Sequence, residues 1–268
     1  MTVTPSALPK TETGVEGLLA ERPDADGRGT ICAVMDTGCD LGAAGLQTTS
    51  DGKNKYIDFI DCTGGGDVDM SKKAKVEAGR TVTGISGRTL TLGPWIDGVE
   101  EVRVGAVRLF ALGSMPTSVL KRIKSERKEV FAARQHQAIA ALQRKLDGLE
   151  SGAGGEGGGA SKKEQAAAKK DAQTALAELE AAMDKYADAG PLMDVVLYQE
   201  AGGAGTWRAV LDLEAEGGDL SAGVPMAPYA HEQQVGSLGF GSALSYCVQV
   251  YAGGDLLSLV SGRSHTLV

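Results

Sequence analysis

Apolar positions fall along this chain in three rhythms. Short apolar runs broken by Gly, Pro and Asp dominate up to about residue 110, a helical period follows from 118 to 186, and short strand-like runs return from 194 onward. Residues 1–29 are polar, and Pro5, Pro9 and Pro23 are expected to break any regular element there. Thr30-Ile-Cys-Ala-Val-Met35 is an apolar run that stops at Asp36-Thr-Gly-Cys-Asp40. That is the pattern of a buried strand in an α/β sheet, with polar residues delivered at its carboxyl end. Tyr56 to Ile60 alternates more weakly and predicts a second strand, and Gly64 to Asp67 a turn. Arg88 to Leu92 and Val102 to Val107 predict further strands in a β-rich stretch.

From Ser118 to Glu150 the apolar residues Val119, Ile123, Val130, Ile139, Leu142, Leu146 and Leu149 recur mostly at steps of three or four, which predicts an amphipathic helix. A Gly-rich break at 151–161 ends it. A second helical stripe, Ala172, Leu176, Leu179, Met183 and Tyr186, runs to Gly190-Pro191. Two long helices joined by a flexible loop are expected to fold back as an antiparallel pair. Asp194 to Tyr198 with Trp207 to Leu213, and Leu244 to Tyr251 with Leu256 to Val260, predict two β-hairpins. The expected fold class is α/β with a helical hairpin inserted into it.

Composition narrows this picture. The 268 residues are enough for one large domain or two small ones, and 42% hydrophobic content is ordinary for a globular protein. With Lys plus Arg at 27 and Asp plus Glu at 35, the net charge is −8, which argues against a nucleic-acid partner. The four cysteines Cys32, Cys39, Cys62 and Cys247 form no CxxC pair. Reduced, mostly buried thiols are expected in place of a disulfide frame or zinc site. No apolar leader occurs at Met1 to Gly14 and no run is long enough to cross a bilayer, so a cytoplasmic protein without membrane association is expected.

The strongest chemical candidate is Asp36, a carboxylate at a strand end beside a tight Gly turn. Such a position is expected to be rigid and partly desolvated, as suits an Asp that orients an imidazole; structural and ligand-contact roles produce the same pattern. The aspartic-peptidase reading of Asp36-Thr-Gly38 needs a second such triplet, and this chain has one. His265 is the second candidate, although a position three residues from Val268 also suits a frayed tail. His136 and His231 have no partner at metal or catalytic spacing and are expected to be structural or exposed. Asp212-Leu-Glu-Ala-Glu216-Gly217 imitates the start of a calcium loop, but its twelfth position is Gly223, so it reads as a surface acidic turn. No phosphate loop, dinucleotide fingerprint or nucleophile elbow occurs, and no metal or cofactor is expected.

Taken together, Gly29 to Asp40, Gly42 to Asp61, Thr63-Gly-Gly-Gly-Asp67, Gly84-Ile-Ser-Gly87-Arg-Thr-Leu, Leu120 to Lys128, Trp207-Arg-Ala, Gly218-Asp-Leu-Ser221 and Gly254 to Ser261 resemble the tripeptidyl-peptidase II group of subtilisin-like serine peptidases. The resemblance runs from about Pro9 to Ser261. It implies a cytosolic exopeptidase that removes tripeptides from free N-termini with a Ser/His/Asp triad, acts on peptide substrates and assembles into large homo-oligomers. By position Asp36 would be the triad Asp. Members of the group carry a long insertion between that Asp and the triad His, and 229 positions separate Asp36 from His265.

The group's His block reads His-Gly-Thr-His-Val-Ala, whereas this chain reads Gly262-Arg-Ser-His265-Thr-Leu-Val268. The Asn oxyanion donor and the Gly-Thr-Ser-Met nucleophile block have no counterpart here. The resemblance thus implies an incomplete subtilisin-like sheet: residues 1–115 as its first part, 116–190 as the inserted helical hairpin, and 191–268 as a β-rich return to the core. A truncated gene model leaving frame after Ser261, or a non-catalytic module acting through the helical hairpin, are the competing expectations.

Overall fold

A computed structural model describes residues 9–43, 45, 47–112, 117–150, 162–200, 205–215, 217–239, 245–261 and 266–267, with backbone alone at 150, 162–165 and 266–267. The chain divides into two compact units, Met1–Met115 with Pro191–Val268, and Pro116–Gly190.

The first unit begins with helix α1 (Val15–Glu21), followed by strands β1 (Met35–Asp36), β2 (Ile60–Asp61), β3 (Asp67–Asp69), β4 (Lys73–Lys75), β5 (Thr81–Thr83), β6 (Thr89–Leu92) and β7 (Glu101–Arg108). The second unit consists of helices α2 (Thr117–Glu150) and α3 (Lys162–Asp184). The chain then returns to the first unit with β8 (Leu192–Gln199), β9 (Trp207–Leu211), β10 (Asp219–Leu220), the short helix α4 (Tyr229–Glu232), β11 (Gly236–Ser237), β12 (Ser245–Tyr251), β13 (Leu256–Ser261) and β14 (Thr266–Leu267).

The result is a mixed α/β chain whose sheets are mostly antiparallel. Two four-stranded sheets run β4-β7-β8-β9 and β11-β12-β13-β3, and two three-stranded sheets run β10-β6-β5 and β1-β14-β2. Among these ladders only β10 with β6 is parallel. Both predicted hairpins are present as antiparallel pairs, β8 with β9 and β12 with β13.

Strand β8 explains the layering. Side chains alternate across a strand. Met193, Val195 and Leu197 therefore pack with Val248, Leu257 and Leu259 of the β12-β13 sheet. Val196 and Tyr198 face the other way, into a second cluster with Val82, Leu90, Leu92 and Ile96. Covered on both faces, β8 reads as an almost continuous apolar run. Its one interior charge, Asp194, lies on the side of Val196.

In the second unit the first half of α2 meets the segment that follows α3. Phe131 stacks on Tyr186 with ring centroids 4.4 Å apart, and Arg127 Nε donates to Asp188 at 2.8 Å. Ile123 and Ala172 are buried in this unit. Val130, expected in the apolar stripe, is exposed, and the neighbouring Phe131 takes the seam instead.

Three further expectations are corrected. Thr30 to Met35 is not a buried strand: only Met35–Asp36 forms a ladder, and Ile31 and Met35 are 80% and 82% exposed. An apolar run is buried only where neighbours cover it, and here its one ladder partner among the described residues is the two-residue β14. Cys32 in that run is consequently exposed, not buried, while Cys247 is buried and all four thiols are free. The polar lead-in does form an element, α1, which fits between Pro9 and Pro23 and buries none of its residues. Among the described residues no helix is long and apolar enough to cross a membrane.

Candidate active site around Asp36

Asp36 ends β1, and Thr37 turns the chain away from it. The Thr37 backbone N–H donates to Asp36 Oδ1 at 2.5 Å and its hydroxyl donates at 3.2 Å. These local bonds fix the carboxylate through one oxygen. Oδ2 accepts no hydrogen bond among the described residues, so one acceptor is left open. The carboxylate is exposed, which corrects the expected partial desolvation: the uncovered apolar run before it leaves it in solvent.

The loop beyond is anchored to the body of the unit. Asp40 Oδ1 accepts from Gly42 N–H at 3.0 Å and from the Ser245 hydroxyl at 2.9 Å. Leu41 is buried in a cluster with Phe59, Tyr229, Cys247 and Val260. Phe59 meets Tyr56 and Tyr229 edge-on at 4.8 and 5.0 Å. Gln249 on β12 donates to Phe59 O at 2.9 Å and to the Asp58 carboxylate. Burial, reinforced by the contact with Cys39, pushes the Tyr56 phenol up to about 12.

The register of the smallest sheet is informative. Thr266 on β14 pairs with Asp36 on one side and with Asp61 on the other. Asp61 is already committed, accepting from Thr63 N–H and hydroxyl at 2.9 and 2.7 Å and from Gly66 N–H at 3.3 Å. It closes the Gly-rich turn, where a Cβ on Gly66 would lie 2.0 Å from Leu259 O. His265 itself lies outside the described residues; Thr266, its neighbour in sequence, is the register partner of Asp36. His136 on α2 and His231 on α4 are exposed.

A buried charge cluster was missed by sequence reasoning. Arg88 reaches Asp194 through Nη2 at 2.8 Å and Asp212 through Nη1 at 2.7 Å, and the two carboxylates are 0% and 2% exposed. The Asp212 contact is an ion pair out of hydrogen-bond alignment. The carboxylate of Asp194 also accepts from Ser86 N–H at 2.9 Å and from the Ser86 hydroxyl. A Cβ on Gly84 would fall 2.6 Å from Asp194 Oδ1, so the turn approaches this closely only with glycine. Asp212 is therefore no surface acidic turn, because a guanidinium draws it inward. The signal that was available is Asp194 itself, a lone charge inside an apolar strand run, which demands a buried partner. Among the described residues no group of three His, Cys, Asp or Glu is positioned to hold a metal.

These features define a mixed α/β chain with mostly antiparallel sheets and an exposed carboxylate at the end of a short strand. Tripeptidyl-peptidase 2 of Oryza sativa subsp. japonica is 35% identical over 265 residues, covering 97% of this chain and 19% of the relative. The Arabidopsis thaliana and Drosophila melanogaster proteins of the same name are 33% and 32% identical, each over 97% of this chain. A crystal structure of tripeptidyl peptidase 2 (TPP II) superposes with a TM-score of 0.52 at 26% identity, covering 95% of this chain and 19% of that one. No family model matches the chain. The chain is homologous, over nearly all of its length, to tripeptidyl-peptidase 2, and it spans about a fifth of the length of the relatives it matches.

Proposed function

We propose that this chain is the N-terminal part of a subtilisin-like serine peptidase domain that releases tripeptides from peptide N-termini, with Asp36 as the triad Asp and His265 as the triad His. The observation that carries this reading is the β1-β14 register, in which residues 230 positions apart in sequence come together: Asp36 pairs with Thr266, the residue that follows His265. The open Oδ2 of Asp36 suits an acceptor for an imidazole Nδ1–H, and the Thr37 bonds to Oδ1 hold it in one orientation. In such a triad the Asp keeps the His in the tautomer that takes the proton from Ser and hands it to the leaving amine.

In this reading residues 1–115 and 191–268 contribute to an incomplete peptidase core, 116–190 is an inserted helical hairpin, and the protein is cytosolic and built for large homo-oligomers. The Ser nucleophile and oxyanion donor are supplied from outside these 268 residues. Loss of the Ser alone costs about 10⁶-fold in kcat in a subtilisin-type site. The purified chain is therefore expected to give no hydrolysis of tripeptide amides above background and no labelling by a fluorophosphonate probe. Stoichiometric labelling of the isolated chain would show that it carries its own activated serine and would refute the assignment.

A further inference from the structure

Away from Asp36, a cavity of about 530 Å³ opens between β9 and β11, each the outer strand of its sheet. Its floor is apolar, with Val210, Leu211, Met226 and Val235, and Val224 stands at the rim, 73% exposed. None of the described side chains lining it carries a charge. One wall is Tyr246, only 5% exposed, whose hydroxyl end lies against Gly236. That hydroxyl has no hydrogen-bond partner among the described residues. Reached from the cavity, it is available to donate to a ligand acceptor, one of the few polar groups that orient a ligand in an apolar pocket. Gln234 adds a second polar group: its Oε1 accepts from Ala227 N–H at 2.7 Å, and its amide nitrogen has no partner among the described residues.

We infer that this cavity binds a neutral aliphatic amide, the chemistry of an uncharged peptide unit with a branched side chain. The ligand carbonyl accepts from the Tyr246 hydroxyl, and the side chain is seated on Val210, Leu211 and Met226. The uncharged described lining disfavours ions, and the apolar floor selects for an aliphatic group over a polar one. Burial pushes the Tyr246 phenol up to about 12, so the group remains a donor at neutral pH. No residue of this cavity belongs to the Asp36 site, and the inference is independent of the peptidase reading.

The test uses the full 268-residue chain titrated with N-acetyl-leucinamide, followed by ligand-observed NMR and calorimetry. Saturable binding is expected in the wild type. Tyr246→Phe removes only the hydroxyl and is expected to weaken binding about 3- to 10-fold, the worth of one neutral hydrogen bond. Because that hydroxyl bonds no protein group among the described residues, the same variant is expected to melt no lower than the wild type. Ala222→Leu, at an exposed position of the lining, fills the mouth and is expected to abolish binding without unfolding the chain. The inference is overturned by absent saturable binding to the wild type, by equal affinity in wild type and Tyr246→Phe, or by a lowered melting temperature in Tyr246→Phe, which would reveal a protein partner for the hydroxyl.

Discussion

Several of the residues that make this sequence recognisable are structural pins. Gly84-Ile-Ser86-Gly87-Arg88 wraps the Asp194 carboxylate, with Ser86 and Arg88 donating and Gly84 giving the room. Trp207 lies under Arg103 at 5.6 Å, and Arg103 pairs in turn with Asp255. Arg208 is clasped by Glu200 at 2.7 Å and Glu232 at 2.6 Å. Such contacts hold loops to strands. The consequence at Arg88 is measurable. Replacing Arg88 with Met strands two buried carboxylates, and removing one partner of a buried ion cluster costs about 3–5 kcal/mol. Urea unfolding of Arg88→Met is expected to show a loss of that size; a loss under about 1 kcal/mol would mean the cluster is solvated.

At the scale of elements, legibility followed burial. Strands β7, β8, β9, β12 and β13 were readable because each packs in the body of the first unit, and burial imposes the apolar pattern that marks a strand. Thr30 to Met35 carries the same pattern but lacks the covering neighbours, which no local signal reveals. Helix α1 was missed because it buries nothing and so leaves no apolar stripe. The helical pair was legible as a period but off by one residue at Val130, since a three- or four-residue step fits both Val130 and Phe131. The structure separates them. Phe131→Ala, which removes the stack on Tyr186, is expected to cost about 1–2 kcal/mol for a half-buried ring. Val130→Ala at an exposed site is expected to stay within about 0.5 kcal/mol. Circular-dichroism melting of both variants checks the assignment, and equal effects would contradict it.

At the scale of the whole molecule, two features of the first unit stand out. An apolar seat of about 490 Å³ lies along Ile31, Val34, Tyr56, Ile57 and Ile60, beside the Asp36 strand. The other feature is a set of weak acids held partly or wholly out of solvent. Burial pushes the phenols of Tyr56 and Tyr246 from 10.0 up to about 12 and raises the Cys247 thiol above 9.0. Each folded-state value exceeds its unfolded one, so between the two the folded chain binds more protons. Their contribution is complete below the unfolded values and is lost as pH rises through the folded ones. Stability measured by denaturant unfolding is expected to fall from about pH 9, most steeply between pH 10 and 12; a flat profile there would mean these groups are solvated.

The candidate site was legible as a carboxylate at a strand end and as a family motif. What joins it to Thr266 is a long-range register that no local pattern encodes. That junction is tested most directly by replacing the homologous fifth of the rice tripeptidyl-peptidase 2 with residues 9–265 of this chain and measuring kcat on a tripeptide amide, with and without Asp36→Asn. The account predicts an active chimaera in which Asp36→Asn keeps the fold and lowers kcat about 10⁴-fold. A folded, active chimaera whose kcat is unchanged by Asp36→Asn would contradict it.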